Sequence, residues 1–327
     1  MSLAKNVQRE SATLSHGLSA EAVEELSWLK DEPEWLRERR REAWRIYERT
    51  PMPLNTDEEW RRTDISALNL ETLELFAPGQ RSTEAHQLPR ELRGLMDGHR
   101  DVAASLLQHN SETIQMQLSA ALAREGVIVT SLDRAAKDYP ELVQEYLLTH
   151  CVRPEDSKFA ALNGAFWSGG TFIYIPPDVE VALPIRSCLW ATEPRLATFA
   201  HNLIVVDRGA KVTYIDEQIS PTQPDIALND GVVELYLKEG AELLYISLQQ
   251  WGHNLFDLGL HRAIMERESR LHWLVVTLGS RLTKVNLETR LQGPGAQAEM
   301  LGLYFGDADQ HFDYHTLQDH LAPYTTS

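Results

Sequence analysis

A short turn recurs through the second half of this chain and limits what that half can become. Val206-Asp-Arg-Gly-Ala-Lys-Val-Thr-Tyr-Ile215 aligns with Leu237-Lys-Glu-Gly-Ala-Glu-Leu-Leu-Tyr-Ile246. Gly209-Ala210 falls on Gly240-Ala241, and Val212, Tyr214 and Ile215 fall on Leu243, Tyr245 and Ile246. A degenerate copy starts at Met265, with Glu268-Ser269 in place of Gly-Ala and Trp273 in the tyrosine position. A fourth turn is Gly295-Ala296, so the intervals between turns are 31, 28 and 27 residues. A motif recurring at that period implies one structural coil per repeat, each built from two or more short strands. Glycine serves a turn that needs positive φ, and the small neighbour lets coils stack. Two architectures fit, a parallel β-helix and a β-sandwich or jelly roll. Only the first gives a reason to repeat one turn.

The rest of the chain looks different. Of 327 residues, 43% are apolar, which allows a sizeable core and about two domains. Ser19 is placed to cap a helix through Val23, Leu26 and Leu29, and Pro33 to open a second through Leu36, Ala43, Trp44 and Tyr47. Arg37 to Arg49 reads as a solvated face paired with glutamates rather than a phosphate site. Gly79 to Arg93 reads as a linker, Ser111 to Arg124 as helix, and Gly126 to Thr130 as a strand. Asp133 to Lys137 and Pro140 to Thr149 read as short helices, and Ser168-Gly169-Gly170 as a turn before the strand Thr171 to Ile175. The division expected is a mainly helical region over residues 1–155 and a β region over 156–327.

The formal net charge is −17. It argues against nucleic acid and against an anionic membrane surface. Cys151 and Cys188 are the only cysteines, too few for a disulfide framework or a four-cysteine metal site, and they suit a reducing cytoplasm. The Met1 end lacks the apolar core of a signal peptide, and no apolar run reaches the length of a membrane span.

Four blocks carry a family resemblance: Glu58-Glu59-Trp60-Arg61-Arg62-Thr63-Asp64; Gly126 to Ala135 with Pro140 to Val143; Lys158 to Trp167 running into Ser168 to Pro176; and Asp309 to Thr316 with Asp319-His320. Together they resemble the SufB/SufD family of iron–sulphur cluster assembly proteins. The resemblance implies an α+β fold, with a helical N-terminal region followed by a right-handed parallel β-helix. It implies a non-catalytic scaffold subunit that works with SufB-like and SufC-like ATPase subunits, with a homodimer through the β-helix as another arrangement. The cluster would be handled by the full complex, with no cofactor bound by this chain alone. Gln218 stands where SufB proteins carry a cysteine, so the chain looks SufD-like. Gln249 and Trp251 match a SufB-like Gln-x-Trp pattern, and His261 replaces a basic residue. The family continues beyond the equivalent of Ser327 with further coils and a helical region. The exposed strand edges of an unfinished stack lead us to expect Tyr304 to Ser327 to be covered by another chain or poorly ordered.

Other chemistry is also conceivable. His311, Asp313 and His315 alternate, so on a strand they share one face; followed by Asp319 and His320, they could bind zinc or iron. That would suit a β-helix or cupin-like metal enzyme, and the plain alternative is a polar or interfacial strip. Cys188 in an apolar strand reads as inert core; Cys151, after His150 at a helix end, has metal binding or thiol activation as its chemical alternatives to a structural role. Asp207, Asp216 and Asp225 could suggest a glycoside-cleaving groove, but they sit near expected turns.

Overall fold

The computed structural model describes Leu14, residues 17–79 and residues 101–327. Most of the expected linker Gly79 to Arg93 and the Met1 end lie outside the described residues.

Helices α1 (Ala20–Leu29) and α2 (Glu34–Arg49) come first. Strands β1 (Ala104–His109), β2 (Glu112–Leu118) and β3 (Ile128–Ser131) follow, with α3 (Ala120–Arg124) between the last two. Next are α4 (Leu132–Asp138), α5 (Pro140–Tyr146) and α6 (Lys158–Phe166). The strands then run β4 (Thr171–Ile175), β5 (Ile185–Trp190), β6 (Ala197–Thr198), β7 (His201–Val206), β8 (Lys211–Ile219) and β9 (Ala227–Leu237). They continue as β10 (Glu242–Gln250), β11 (Leu255–Met265), β12 (Arg270–Thr277), β13 (Leu282–Leu291), β14 (Gln297–Tyr304) and β15 (His311–His320).

The chain alternates between two sheets. One has seven strands in the order β14-β12-β10-β8-β5-β1-β2, the other eight in the order β15-β13-β11-β9-β7-β4-β3. From β7 onward every pairing is parallel, and the register places Tyr214 beside Tyr245 and Tyr245 beside Trp273. This is a parallel β-helix, and a jelly roll, whose strands are antiparallel, is excluded. Each repeat turn takes the left-handed backbone conformation: φ is +66° at Gly209, +68° at Gly240 and +76° at Gly295. Glu268 occupies the same place in the degenerate copy and adopts φ +54° despite its side chain.

Alternation along each strand sends one set of side chains into the coil and the other out. Inward residues such as Val233, Leu235, Ala263, Met265 and Leu291 build the interior. Tyr214, Tyr245 and Trp273 line up there, edge-on and tilted, with ring centroids 5.2 and 5.4 Å apart. The outward residues Phe256, Leu258 and Leu260 of β11 join a second core with α1, α2 and α6. Ser19 and Ser157 accept from backbone N–H groups to cap α1 and α6.

Two sequence expectations need correction. Ser111 to Arg124 is helical only over Ala120–Arg124; Glu112–Leu118 is strand, because Ile114, Met116 and Leu118 alternate with polar residues while Asn110 turns the hairpin at φ +51°. Strands β1 to β3, within the stretch read as mainly helical, thus join the two sheets. The arginine run is not wholly solvated either. Arg41 and Arg45 pair with glutamates at the surface, but Arg40 is fully buried on Glu32, and Arg39 donates to the carbonyls of Leu147 and Gln144.

At the far end β14 and β15 are regular strands; among the described residues β15 pairs with β13 alone, while β14 pairs with β12 and, through one parallel bridge at Gln297, with Thr326. Tyr304 to Ser327 therefore forms an ordinary coil with Tyr304, Phe305 and Tyr324 exposed, rather than an irregular tail. No described helix is long and apolar enough to cross a membrane.

Candidate functional site

The β-helix interior is not uniformly apolar. The same inward face of β8 that carries Val212 and Tyr214 continues to Asp216. That carboxylate is buried and accepts from the Ser187 hydroxyl at 3.0 Å, the Tyr245 hydroxyl at 2.8 Å and the Asn202 amide at 3.0 Å. The Gln218 amide lies 3.4 Å from it. Desolvation outweighs these donors and raises the Asp216 carboxyl to about 6. A second buried carboxylate, Asp257 on β11, accepts from Asn229 at 2.8 Å and from Gln249 at 3.1 Å. Burial raises it as well.

Gln249 is therefore a strut. Besides Asp257, its amide reaches the Thr283 hydroxyl at 3.1 Å, and its carbonyl accepts from Gly279 N–H at 2.9 Å. Trp251 packs in a small cluster with Leu189, Ala191, Ala227 and Leu255. His261 also points inward, stacked on Trp273 with centroids 6.4 Å apart, and burial lowers its imidazole to about 4. Gln218, Gln249 and His261 thus share one interior, and the first two are occupied in hydrogen bonds.

A third polar cluster joins the helices to the sheet. Glu234 on β9 accepts from His201 at 2.8 Å, from Leu148 N–H at 2.8 Å and from Val152 N–H at 3.1 Å. The other ring nitrogen of His201 faces Asn163 Oδ1 of α6 at 2.9 Å. His201 and Glu234 have no solvent exposure. Such a network is costly unless satisfied and fixes geometry when it is.

The His311/Asp313/His315 strip lies on the outward face of β15, as its alternation predicts. Asp313 is already engaged: Thr63 donates to it, and Lys284 of β13 reaches it at 3.0 Å. These partners hold its carboxyl below the usual range despite the opposing desolvation. His311 Nε2 lies 3.5 Å from Thr63, Lys284 sits 5.8 Å from the Trp60 ring, and Trp60 packs on Phe159 at 5.7 Å. The Glu58 to Asp64 block is thereby clasped to the last coil. Among the described residues no three His, Cys, Asp or Glu side chains gather as metal ligands.

Both thiols are buried, and desolvation raises each well above the ordinary cysteine value. Cys151 donates to the Arg262 carbonyl at 3.0 Å. The three aspartates of the glycosidase alternative have separate roles. Asp216 is interior, Asp207 accepts from Tyr174 at 2.8 Å, and Asp225 is exposed.

Comparison with known proteins agrees with this architecture. The model described as "SUF system FeS cluster assembly, SufBD core domain" matches residues 189–327, and "SufBD protein N-terminal region" matches residues 101–186. The Bacillus subtilis protein named "Iron-sulfur cluster assembly protein SufB" is 30% identical over 320 residues, covering 95% of this chain and 67% of the relative. The chain belongs to the SufBD family. SufBD family proteins of Staphylococcus haemolyticus and Staphylococcus aureus are 30% and 29% identical over the same shares. The chain thus spans about two thirds of the length of these relatives, and it is an iron–sulphur cluster assembly protein of that family.

Sequence reasoning did not single out Asp257, Glu234 or His201, and it placed Asp216 near a turn. Strand alternation was the available signal for Asp216, because it shares the parity of Val212 and Tyr214 in the repeat.

Proposed function

We propose that this chain is a SufD-like, non-catalytic scaffold subunit of a SUF assembly complex, working with SufB-like and SufC-like ATPase partners in the cytoplasm. One residue carries the reading: Gln218, which by the family resemblance stands where SufB proteins carry a cysteine, lies beside Asp216 in the interior. An amide neither carries sulphur as a persulphide nor holds iron as a thiolate does. Cys151 and Cys188 do not substitute, since burial keeps them as thiols. The chain would contribute shape, a rigid stack with clasped helices, while cluster sulphur and iron are handled on a partner. The similarity to a relative named SufB gives family membership, and the subtype rests on Gln218.

Co-expression with SufB-like and SufC-like subunits followed by affinity purification tests the reading. The expected outcome is a stable ternary complex, with no cluster absorption when the chain alone is supplied with iron and sulphide. A stoichiometric cluster on the isolated chain that disappears on Cys151→Ser or Cys188→Ser would overturn it, as would failure to bind either partner.

A further inference from the structure

The connection from α5 towards α6 is a strap anchored on β9 and β11. Its residues Leu147, Cys151 and Val152 are fully buried. Side chains meet its backbone groups. Glu234 accepts from Leu148 N–H at 2.8 Å through Oε1 and from Val152 N–H at 3.1 Å through Oε2. The Tyr236 hydroxyl accepts from Cys151 N–H at 3.0 Å. The Leu147 and Cys151 carbonyls accept from Arg39 and Arg262, each at 2.6 Å. Leu148 sits at φ +53°, a left-handed conformation that costs a leucine energy.

Hydrogen-bond directions around Glu234 set how many protons the cluster holds. The Asn163 amide nitrogen donates to Asp230 O at 2.8 Å and to Ala200 O at 3.3 Å. Its oxygen is therefore the atom that faces His201 Nδ1 at 2.9 Å. An amide oxygen only accepts, so Nδ1 carries a proton. Nε2 faces Glu234 Oε1 at 2.8 Å, and that contact needs a proton as well. Both carboxylate oxygens already accept backbone N–H groups, which favours the ionised carboxylate and leaves this proton on the ring. A neutral imidazole has one ring proton, and this network holds two.

The neighbouring ionisable groups are otherwise engaged or neutral. Arg39 of α2 donates to strap carbonyls, and Arg262 of β11 is bound to Asp156 and Glu288. Arg40 of α2 faces Glu32, and Lys158 of α6 donates to the Tyr47 carbonyl. Burial disfavours ionisation of the Tyr146 and Tyr236 phenols, the Cys151 thiol and the Asp230 carboxyl.

We infer that His201 and Glu234 form a proton-linked latch, which grips the strap while the ring holds two protons and releases it when one is lost. Losing that proton sets acceptor against acceptor, at Asn163 or at Glu234, and leaves the Glu234 charge without its buried cation. The strain at Leu148 acts in the same direction. The gripped state holds the extra proton and the released state does not, so the grip weakens as pH rises.

The test follows the full chain, labelled with nitrogen-15 histidine, by long-range proton–nitrogen NMR, with amide exchange measured in parallel across pH. His201→Gln identifies the His201 signals; if that variant does not fold, contact with the Trp167 ring, whose centroid lies 6.3 Å away, identifies them. Wherever the strap amides are protected, both His201 nitrogens are expected to be protonated. As pH rises, loss of one ring proton should coincide with a fall of about tenfold or more in protection at Leu148 and Val152, with β12 and β13 unaffected. A protected strap beside a His201 with one bare nitrogen overturns the inference. So does a lost ring proton that leaves the protection unchanged.

Discussion

Replacing Arg40 by methionine removes a guanidinium with no solvent exposure that makes five contacts with three residues. It donates to Glu32 at 2.8 and 2.6 Å, to Ala165 O at 3.0 Å and to Trp167 O at 2.9 Å, and it lies 4.5 Å from the Trp167 ring centroid. In the variant Glu32 keeps Ser27, at 2.8 Å, as a donor but has no positive charge beside it. Breaking a buried pair from one side costs about 3–5 kcal/mol, because the remaining charge stays buried. Adding Glu32→Gln removes that charge and should recover about 1 kcal/mol or more, within the usual coupling of residues sharing a network. The two carbonyls still lose a donor, so full recovery is not expected. Urea unfolding followed by far-ultraviolet circular dichroism and by tryptophan fluorescence gives the midpoints at a common slope. A loss below about 1 kcal/mol for Arg40→Met, or a double variant no more stable than the single, would refute the view of Arg40 as the charge partner holding α2 against the α6–β4 connection.

Three further outcomes follow from other parts of the molecule. Asp216, raised to about 6, makes the folded state hold its proton more tightly than the unfolded one, so its share of stability, about 3 kcal/mol, is lost as pH rises from about 4 to about 6. His261, lowered to about 4, acts in the opposite sense, with stability lost as pH falls from about 6.5 to about 4; the pH slope of unfolding should therefore become more positive in Asp216→Asn and less positive in His261→Gln. Gly240→Ala should destabilise by about 1–2 kcal/mol and Glu268→Gly should stabilise by up to about 1 kcal/mol, since both positions take left-handed φ; equal thermal midpoints in the two variants would count against a strained turn at Glu268. Thr63→Val should cost about 1–2 kcal/mol locally, read as faster amide exchange around Trp60 with little change in the β-helix; unchanged exchange would mean that the clasp does not hold that segment.

The stacked coils were legible because the turn is a local device: a glycine needing positive φ, followed by apolar alternation, marks each coil without knowledge of its neighbours. Even the degenerate copy held, with Glu268 in the glycine conformation. Alternation also placed His311, Asp313 and His315 on one face. What it could not give was their partners, because Thr63 comes from a segment far away in sequence and occupies Asp313 first. The arginine run misled in the same way. Helical spacing puts Arg40 one residue from Arg41, yet whether either meets solvent depends on where Glu32 and α6 lie. Ser111 to Arg124 failed on a competing period: Ile114, Met116 and Leu118 fit a strand once Asn110 turns the hairpin, and the hairpin's value depends on β5 accepting β1.

The clasp between Thr63 and Asp313 joins residues 250 positions apart. A ribosome releases the N-terminal end first, so Trp60 and its neighbours emerge long before the strand that will hold them. Contacts of such separation add their loop-closure cost before they return any stabilisation. The coils can assemble one upon another as they appear, and Trp60 can already rest on Phe159 of α6, but Thr63 has no partner strand until β13 and β15 are both in place. Closure of the clasp is therefore a late event in maturation, and a Thr63 not yet bonded to Asp313 would mark a nascent chain whose stack is not yet built.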